Sequence, residues 1–134
     1  MPKADVLLAD DNPAMLDHVS HLLRTDNQYN VVGAFNKGAD VLREHGRLRP
    51  DVIVLDISMD LLSGIDVAQH LREEGCHAKI VFLTVHEDFD FLNAAISAGG
   101  SAYVVKSRLS TDLIPAITAV LSNKMFVSRN MLYT

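Results

Sequence analysis

Residues 51–59 read Asp51-Val52-Ile53-Val54-Leu55-Asp56-Ile57-Ser58-Met59, with the apolar run Val52-Ile53-Val54-Leu55 set between two carboxylates. A run that short and β-branched, with no polar alternation, reads as a strand covered on both faces, as in parallel sheets flanked by helices. Working outward, similar runs occur at residues 5–9, 30–35, 78–83 and 102–105, giving five strands with the run at 51–55. The segments between them are long enough for crossover helices. The expected class is α/β.

Helix signals fill the gaps. Asn12 before Pro13 reads as an N-cap with proline at the first helical position, followed by the apolar stripe Met15, Val19, Leu22 and Leu23. Ser63 and Asp66 form a capping-box-like start to a helix whose apolar side carries Ile65, Val67, Ala68 and Leu71, with Gly75 as the stop. Phe89, Leu92, Ala95 and Ile96 make the next stripe, closed by Gly99 and Gly100. Leu113, Ile117, Val120 and Leu121 make the last. Pro115 would clash with the carbonyl four residues back if it lay deep in that helix, so its first turn is expected near Thr111 or Asp112.

Composition narrows the function classes. At 134 residues the chain has the size of one domain with a sizeable core, and no repeat or low-complexity segment divides it. The expected domain covers residues 1–127, with a tail or linker start at 128–134. The apolar runs are too short to span a bilayer and no leader peptide is visible, so a cytoplasmic address without membrane contact is expected. The single cysteine, Cys76, excludes an internal disulfide. Twelve Lys and Arg against 17 Asp and Glu leave a net charge of −5, the wrong sign for holding a nucleic-acid backbone unaided. Arg43, Arg47 and Arg49, the densest basic cluster, read as a solvated helix end.

In open parallel sheets, ligands sit at the carboxyl ends of the strands. Asp10 and Asp11 follow the first strand, Asp56 the third, Thr84 the fourth and Lys106 the fifth. Three neighbouring carboxylates repel one another unless a cation compensates, and oxygen ligands suit Mg²⁺. One carboxylate can then attack a phosphoryl group while Mg²⁺ and the Lys106 ammonium offset the charge and Thr84 donates a hydrogen bond. Taken singly, each residue has a blander reading, as a helix cap or an exposed strand end; the joint placement carries the argument. His18 and His21 share a helical face but lack a third ligand, and no glycine spacing suits a nucleotide loop.

ADDNPAM at residues 9–15, DVIVLDISM at 51–59, VFLTV at 81–85 and GSAYVVKS at 100–107 together resemble the signatures of response-regulator receiver domains. The resemblance implies a flavodoxin-like (βα)5 three-layer sandwich with strand order 2-1-3-4-5. It implies Mg²⁺ held by Asp11, Asp56 and the backbone carbonyl of Ser58, with Asp10 acting in part through water. It also implies phosphoryl transfer to Asp56 from the phosphohistidine of a sensor kinase or phosphotransfer protein. Thr84 and an inward-turning Tyr103 would then change the surface around the fourth helix, fifth strand and fifth helix, allowing a homodimer on phosphorylation. The alternative for Tyr103 is an amphipathic side chain on an edge strand. Such a domain is a switch rather than an enzyme, although it catalyses its own phosphorylation and dephosphorylation.

The stretch from Lys106 to Ser128 resembles the NarL/FixJ group, whose receivers precede a LuxR-type helix-turn-helix. DNA contact is thus expected only through such an output domain, and a stand-alone receiver acting on protein partners is the alternative. Several positions depart from the family pattern. Val85 stands where alanine is common, Asp60 replaces a frequent proline, and Ser107 replaces the proline of a cis peptide. His86 and Ser58 flank the site, and His86 reads as an exposed loop residue. A haloacid-dehalogenase-like phosphatase also uses an aspartyl nucleophile, but Ser58 stands where its second aspartate belongs. A receiver-like protein-binding module without phosphorylation would be expected to lack one of the acids, Thr84 or Lys106.

Overall fold

The structure, a computed structural model, describes residues 3–129. Its elements are β1 (Ala4–Ala9), α1 (Pro13–Thr25), β2 (Tyr29–Phe35), α2 (Gly38–Leu48), β3 (Val52–Asp56), α3 (Gly64–Glu73), β4 (Lys79–Thr84), α4 (Phe89–Ser97), β5 (Ala102–Val105), a 3₁₀ turn (Lys106–Arg108), α5 (Leu109–Leu121) and β6 (Phe126–Val127). The strands form one parallel sheet of order β2-β1-β3-β4-β5-β6. The expected order 2-1-3-4-5 stands within it. The sixth strand is an addition: Phe126–Val127 is too short to show a period in sequence and exists by pairing with the far side of β5.

Strand alternation divides the core into two layers. Leu7, Ile53, Leu55, Ile80 and Phe82 meet Val41 of α2, Val67, Ala68 and Leu71 of α3, and Leu92 and Ala95 of α4. Val6, Leu8, Val52, Val54, Val81 and Leu83 face the other way, onto Val19 and Leu23 of α1 and Leu113, Ala116, Ile117 and Val120 of α5. Every residue of β3 is buried, which is why that strand reads as continuously apolar.

Local signals act as expected at most helix ends. Asn12 Oδ1 accepts the N–H groups of Ala14 and Met15 at 3.0 and 3.3 Å. Ser63 and Asp66 close a reciprocal capping box at 3.1 and 3.3 Å. Gly75 takes φ +78°, a left-handed conformation suited to glycine, just after α3. Arg43 and Arg47 pair with Asp40 and Glu44 on their own helix, as a solvated basic face should.

Two expectations are corrected. α5 begins at Leu109, ahead of the expected Thr111 or Asp112, and carries Pro115 in its interior. A helix-interior proline costs about 3 kcal/mol, whereas burying each large aliphatic side chain contributes about 1.5–3 kcal/mol. Leu109, Leu113, Ile117 and Val120 are all buried, so packing outweighs the break. In α4 only Leu92 and Ala95 of the expected stripe are buried; Phe89 and Ile96 are 44% and 38% exposed.

Ser128, which the sequence reading assigned to the tail, lies fully buried against β5 and α5, so the packed domain includes it. Residues 130–134 of that tail lie outside the described residues. β6 also means that β5, which carries Tyr103, is not the sheet edge.

Candidate functional site

The carboxyl ends of β1, β3, β4 and β5 meet at one edge of the sheet. Asp56 and Thr84 are the last residues of their strands, one position further inside than the sequence reading placed them. Asp10 follows β1 directly and Lys106 follows β5. The approach of α3 to this edge is close: a Cβ on Gly64 would lie 2.2 Å from the Asp56 carbonyl oxygen, so only glycine admits the α3 N-terminus there. Gly64 N–H donates to the Ile57 carbonyl at 2.8 Å and fixes the loop that carries Ser58.

The acids cluster as expected. Asp10, Asp11 and Asp56 each present an oxygen within 4.8 Å of the others. Asp10 and Asp56 are 2% and 3% exposed, whereas Asp11 is open to solvent. The Lys106 ammonium lies 2.9 Å from Asp10 Oδ2 and 3.3 Å from Asp56 Oδ1. Asp10 Oδ1 accepts the Asn12 N–H at 2.9 Å, while its buried Oδ2 has no partner besides the Lys106 ammonium among the described residues. Ser58 N–H donates to Asp56 Oδ1 at 3.3 Å.

Electrostatics follow from that geometry. Burial, and then the charge of Asp10, push the Asp56 carboxyl up from 3.8 to about 7, against the pull of the Lys106 ammonium and the Ser58 N–H. For Lys106, burial alone would lower the pKa, but the hydrogen bonds and charges of Asp10 and Asp56 outweigh it and leave it raised. One ammonium thus faces two buried carboxylates and a third at the mouth. An all-oxygen set of this size, with an under-satisfied buried carboxylate oxygen, fits a hard divalent cation with oxygen ligands at about 2.1 Å. No other group of three acidic, histidine or cysteine ligands is that close among the described residues, and His18 and His21 are exposed on α1.

Thr84 is fully buried, and its hydroxyl accepts the His86 N–H at 3.0 Å. Tyr103 points inward, 1% exposed, and donates its phenol proton to the His86 carbonyl at 2.8 Å. Burial pushes that phenol up to about 12, with the adjacent Thr84 hydroxyl acting the other way. His86 is therefore no free loop residue. Its ring stacks on Phe91 at 3.8 Å, and Nε2 lies 3.0 Å from Ser58 Oγ, so it joins the β3–α3 loop to α4. A histidine five residues before a phenylalanine carries no local signal of this; the first turn of α4 brings the two rings together. Val85 is 66% exposed beside the site, and Asp60 is exposed. All described peptide bonds are trans, including the one before Ser107.

The sequence reading also missed a second polar cluster behind Lys106, made by Arg108, Asp112 and Ser128. Its one local trace is the i, i+4 spacing of Arg108 and Asp112.

Residues 6–118 match the response regulator receiver domain. The nitrate/nitrite response regulator protein NarP of Escherichia coli strain K12 is 36% identical over 133 residues, covering 96% of this chain and 62% of that protein. A LuxR-family two-component response regulator from Aurantimonas superposes with a TM-score of 0.92 at 28% identity, covering 97% of this chain and 93% of that one. The isolated receiver domain of RcsB from Salmonella enterica serovar Typhimurium, solved with the phosphomimetic BeF3⁻, gives 0.88 at 26% identity, covering 97% and 96%. The chain spans about three fifths of the length of the curated relatives it matches. Among the described residues no helix is long and apolar enough to cross a membrane. This chain belongs to the response-regulator receiver domain family, of the NarL/LuxR type.

Proposed function

We propose that the domain takes a phosphoryl group on Asp56 from the phosphohistidine of a sensor kinase or phosphotransfer protein, in a Mg²⁺-dependent step. The observation that carries this reading is the Lys106 ammonium bridging buried Asp10 and Asp56 beside a third carboxylate. An ionised Asp56 oxygen attacks phosphorus and forms the P–O bond; the P–N bond to the donor imidazole breaks, its electron pair stays on nitrogen, and solvent supplies a proton there. Burial and Asp10 push the Asp56 carboxyl up to about 7, so added positive charge beside it favours the ionised, attacking form. Asp10, Asp11, Asp56 and the Ser58 carbonyl would hold Mg²⁺, which supplies charge neutralisation for the transferring oxygens. Lys106 then turns toward a phosphoryl oxygen, and Thr84 donates to another.

Thr84 links that event to the surface, since its hydroxyl adjoins both Tyr103 and the His86 N–H. A phosphoryl group that captures the Thr84 proton changes what Tyr103 and His86 contact, which biases the face of α4, β5 and α5. The domain is a switch, not a turnover enzyme. Its kinship with NarP and LuxR-family regulators supports output through a helix-turn-helix in transcription, with homodimerisation as the immediate readout. A cytoplasmic site of action fits a kinase partner and DNA as the final target.

The test is intact-mass analysis with acetyl phosphate and Mg²⁺. The wild-type protein should gain one hydroxylamine-labile phosphate and Asp56→Asn none. A phosphate on the variant would move the acceptor to Asp10 or Asp11.

A further inference from the structure

The turn that carries Lys106 is gripped at both ends by groups outside the acidic site. On one side, Val105 N–H donates to the Ser128 hydroxyl at 3.0 Å. On the other, the Arg108 guanidinium donates to Asp112 through Nε at 3.1 Å and Nη2 at 3.4 Å, and the Thr111 hydroxyl donates to the Arg108 carbonyl at 3.1 Å and lies 3.2 Å from Asp112 Oδ1. Ser128 and Asp112 are themselves joined at 2.7 Å and are 0% and 6% exposed. Proton direction here is determined: a carboxylate only accepts, so Ser128 gives its proton to Asp112 and keeps a lone pair for Val105 N–H. The hydroxyl stands in for the next bond of the ladder, because β6 ends at Val127 and Ser128 N–H donates to the Tyr103 carbonyl at 2.9 Å.

We propose that Asp112 and Ser128 are positioning residues for the Lys106 ammonium, clamping Val105 and Arg108 so that the intervening turn aims Nζ at Asp10 and Asp56. The proposal rests on the phosphoacceptor reading above. It follows that Ser128 is mechanically tied to the site: occupancy that draws Lys106 toward a phosphoryl oxygen loads the clamp, and by linkage a loosened clamp weakens occupancy. A carboxylate present only to cap α5 would affect stability but not the binding of a phosphoryl mimic at the far side of the turn.

The experiment titrates beryllium fluoride into the Mg²⁺-saturated protein and, separately, Mg²⁺ alone, following amide chemical shifts. Ser128→Ala and Asp112→Asn should weaken beryllium fluoride binding at least fivefold while Mg²⁺ affinity stays within twofold, and Ser128→Thr, which retains the hydroxyl, should restore most of the loss. Val120→Ala, a buried α5 site remote from the turn, controls for lost stability and should bind as wild type. Wild-type-like binding by Ser128→Ala and Asp112→Asn, or equal weakening in Val120→Ala, would overturn the positioning role. Asp56→Asn separates the two readings: if it binds beryllium fluoride as tightly as wild type, the phosphoacceptor reading falls, whereas lost binding there with wild-type binding in the clamp variants sinks only the present inference. Should the clamp variants fail to fold, hydrogen exchange of the wild-type Val105 amide decides. Its rate should change at least threefold when the site fills, and an unchanged rate refutes the coupling.

Discussion

Proton and metal should compete for Asp56. Its carboxyl titrates near 3.8 in an unfolded chain and near 7 in the folded, metal-free domain, because burial and Asp10 disfavour its charge. The folded state therefore binds the extra proton between those values, so metal-free stability falls as pH rises from about 4 to about 7 and levels off above. Mg²⁺ binds the ionised carboxylate, so its affinity moves the opposite way: at pH 5 about one Asp56 in a hundred is ionised, and Kd should be about a hundredfold weaker than at pH 8. At a Mg²⁺ concentration of about 100 Kd, mass action adds about 2.7 kcal/mol at pH 8. With an unfolding entropy of about 2.1 cal/mol/K per residue over 134 residues, that raises Tm by about 10 °C. The same concentration at pH 5 is about one Kd and raises Tm by about 1–2 °C. Scanning calorimetry at fixed ionic strength, with Ca²⁺-free buffers and a choline chloride control, measures both. Equal Tm increments at pH 5 and pH 8 would refute the competition, and Asp56→Asn should abolish the pH dependence of the increment.

Two further outcomes follow from other parts of the fold. The Arg72 guanidinium donates to the carbonyls of Cys76, Ala78 and Gly99 at 2.8, 3.1 and 2.9 Å, tying the end of α3 to the start of β4 and the end of α4. Arg72→Ala should lose about 3 kcal/mol in a urea melt, with hydrogen bonds to charged groups contributing about 1.5–3 kcal/mol each and partial rehydration offsetting some of it, yet it should still be phosphorylated at Asp56. Thr84→Ala should accept a phosphate but lose the switch: sedimentation velocity should show phosphorylation-dependent self-association in wild type and none in the variant, and retained association would remove Thr84 from the coupling.

How much was legible beforehand depends on whether a signal is local. The caps at Asn12 and Ser63 and the stop at Gly75 act within one turn of their own backbone, so they were readable. The convergence of Asp10, Asp56, Thr84 and Lys106 was readable as well, since a parallel sheet brings all its strand ends to one edge regardless of side-chain detail. The interior Pro115 was misjudged because local strain was weighed without the burial of α5 that offsets it.

By itself the amino-acid order determined the five longer strands of the sheet, the identities of the acids and of the Lys106 ammonium, and the edge at which they meet, because short apolar runs, helical periods and residue chemistry suffice for those. Only the tertiary structure decided that Tyr103 faces inward onto the His86 carbonyl, that His86 stacks on Phe91 beside Ser58, and that Ser128 closes onto Asp112 and Val105. Each of these joins residues on different elements, and hydrogen-bond geometry and ring contact depend on how helices and strands settle against one another to within about an ångström, a distance no one-dimensional pattern encodes.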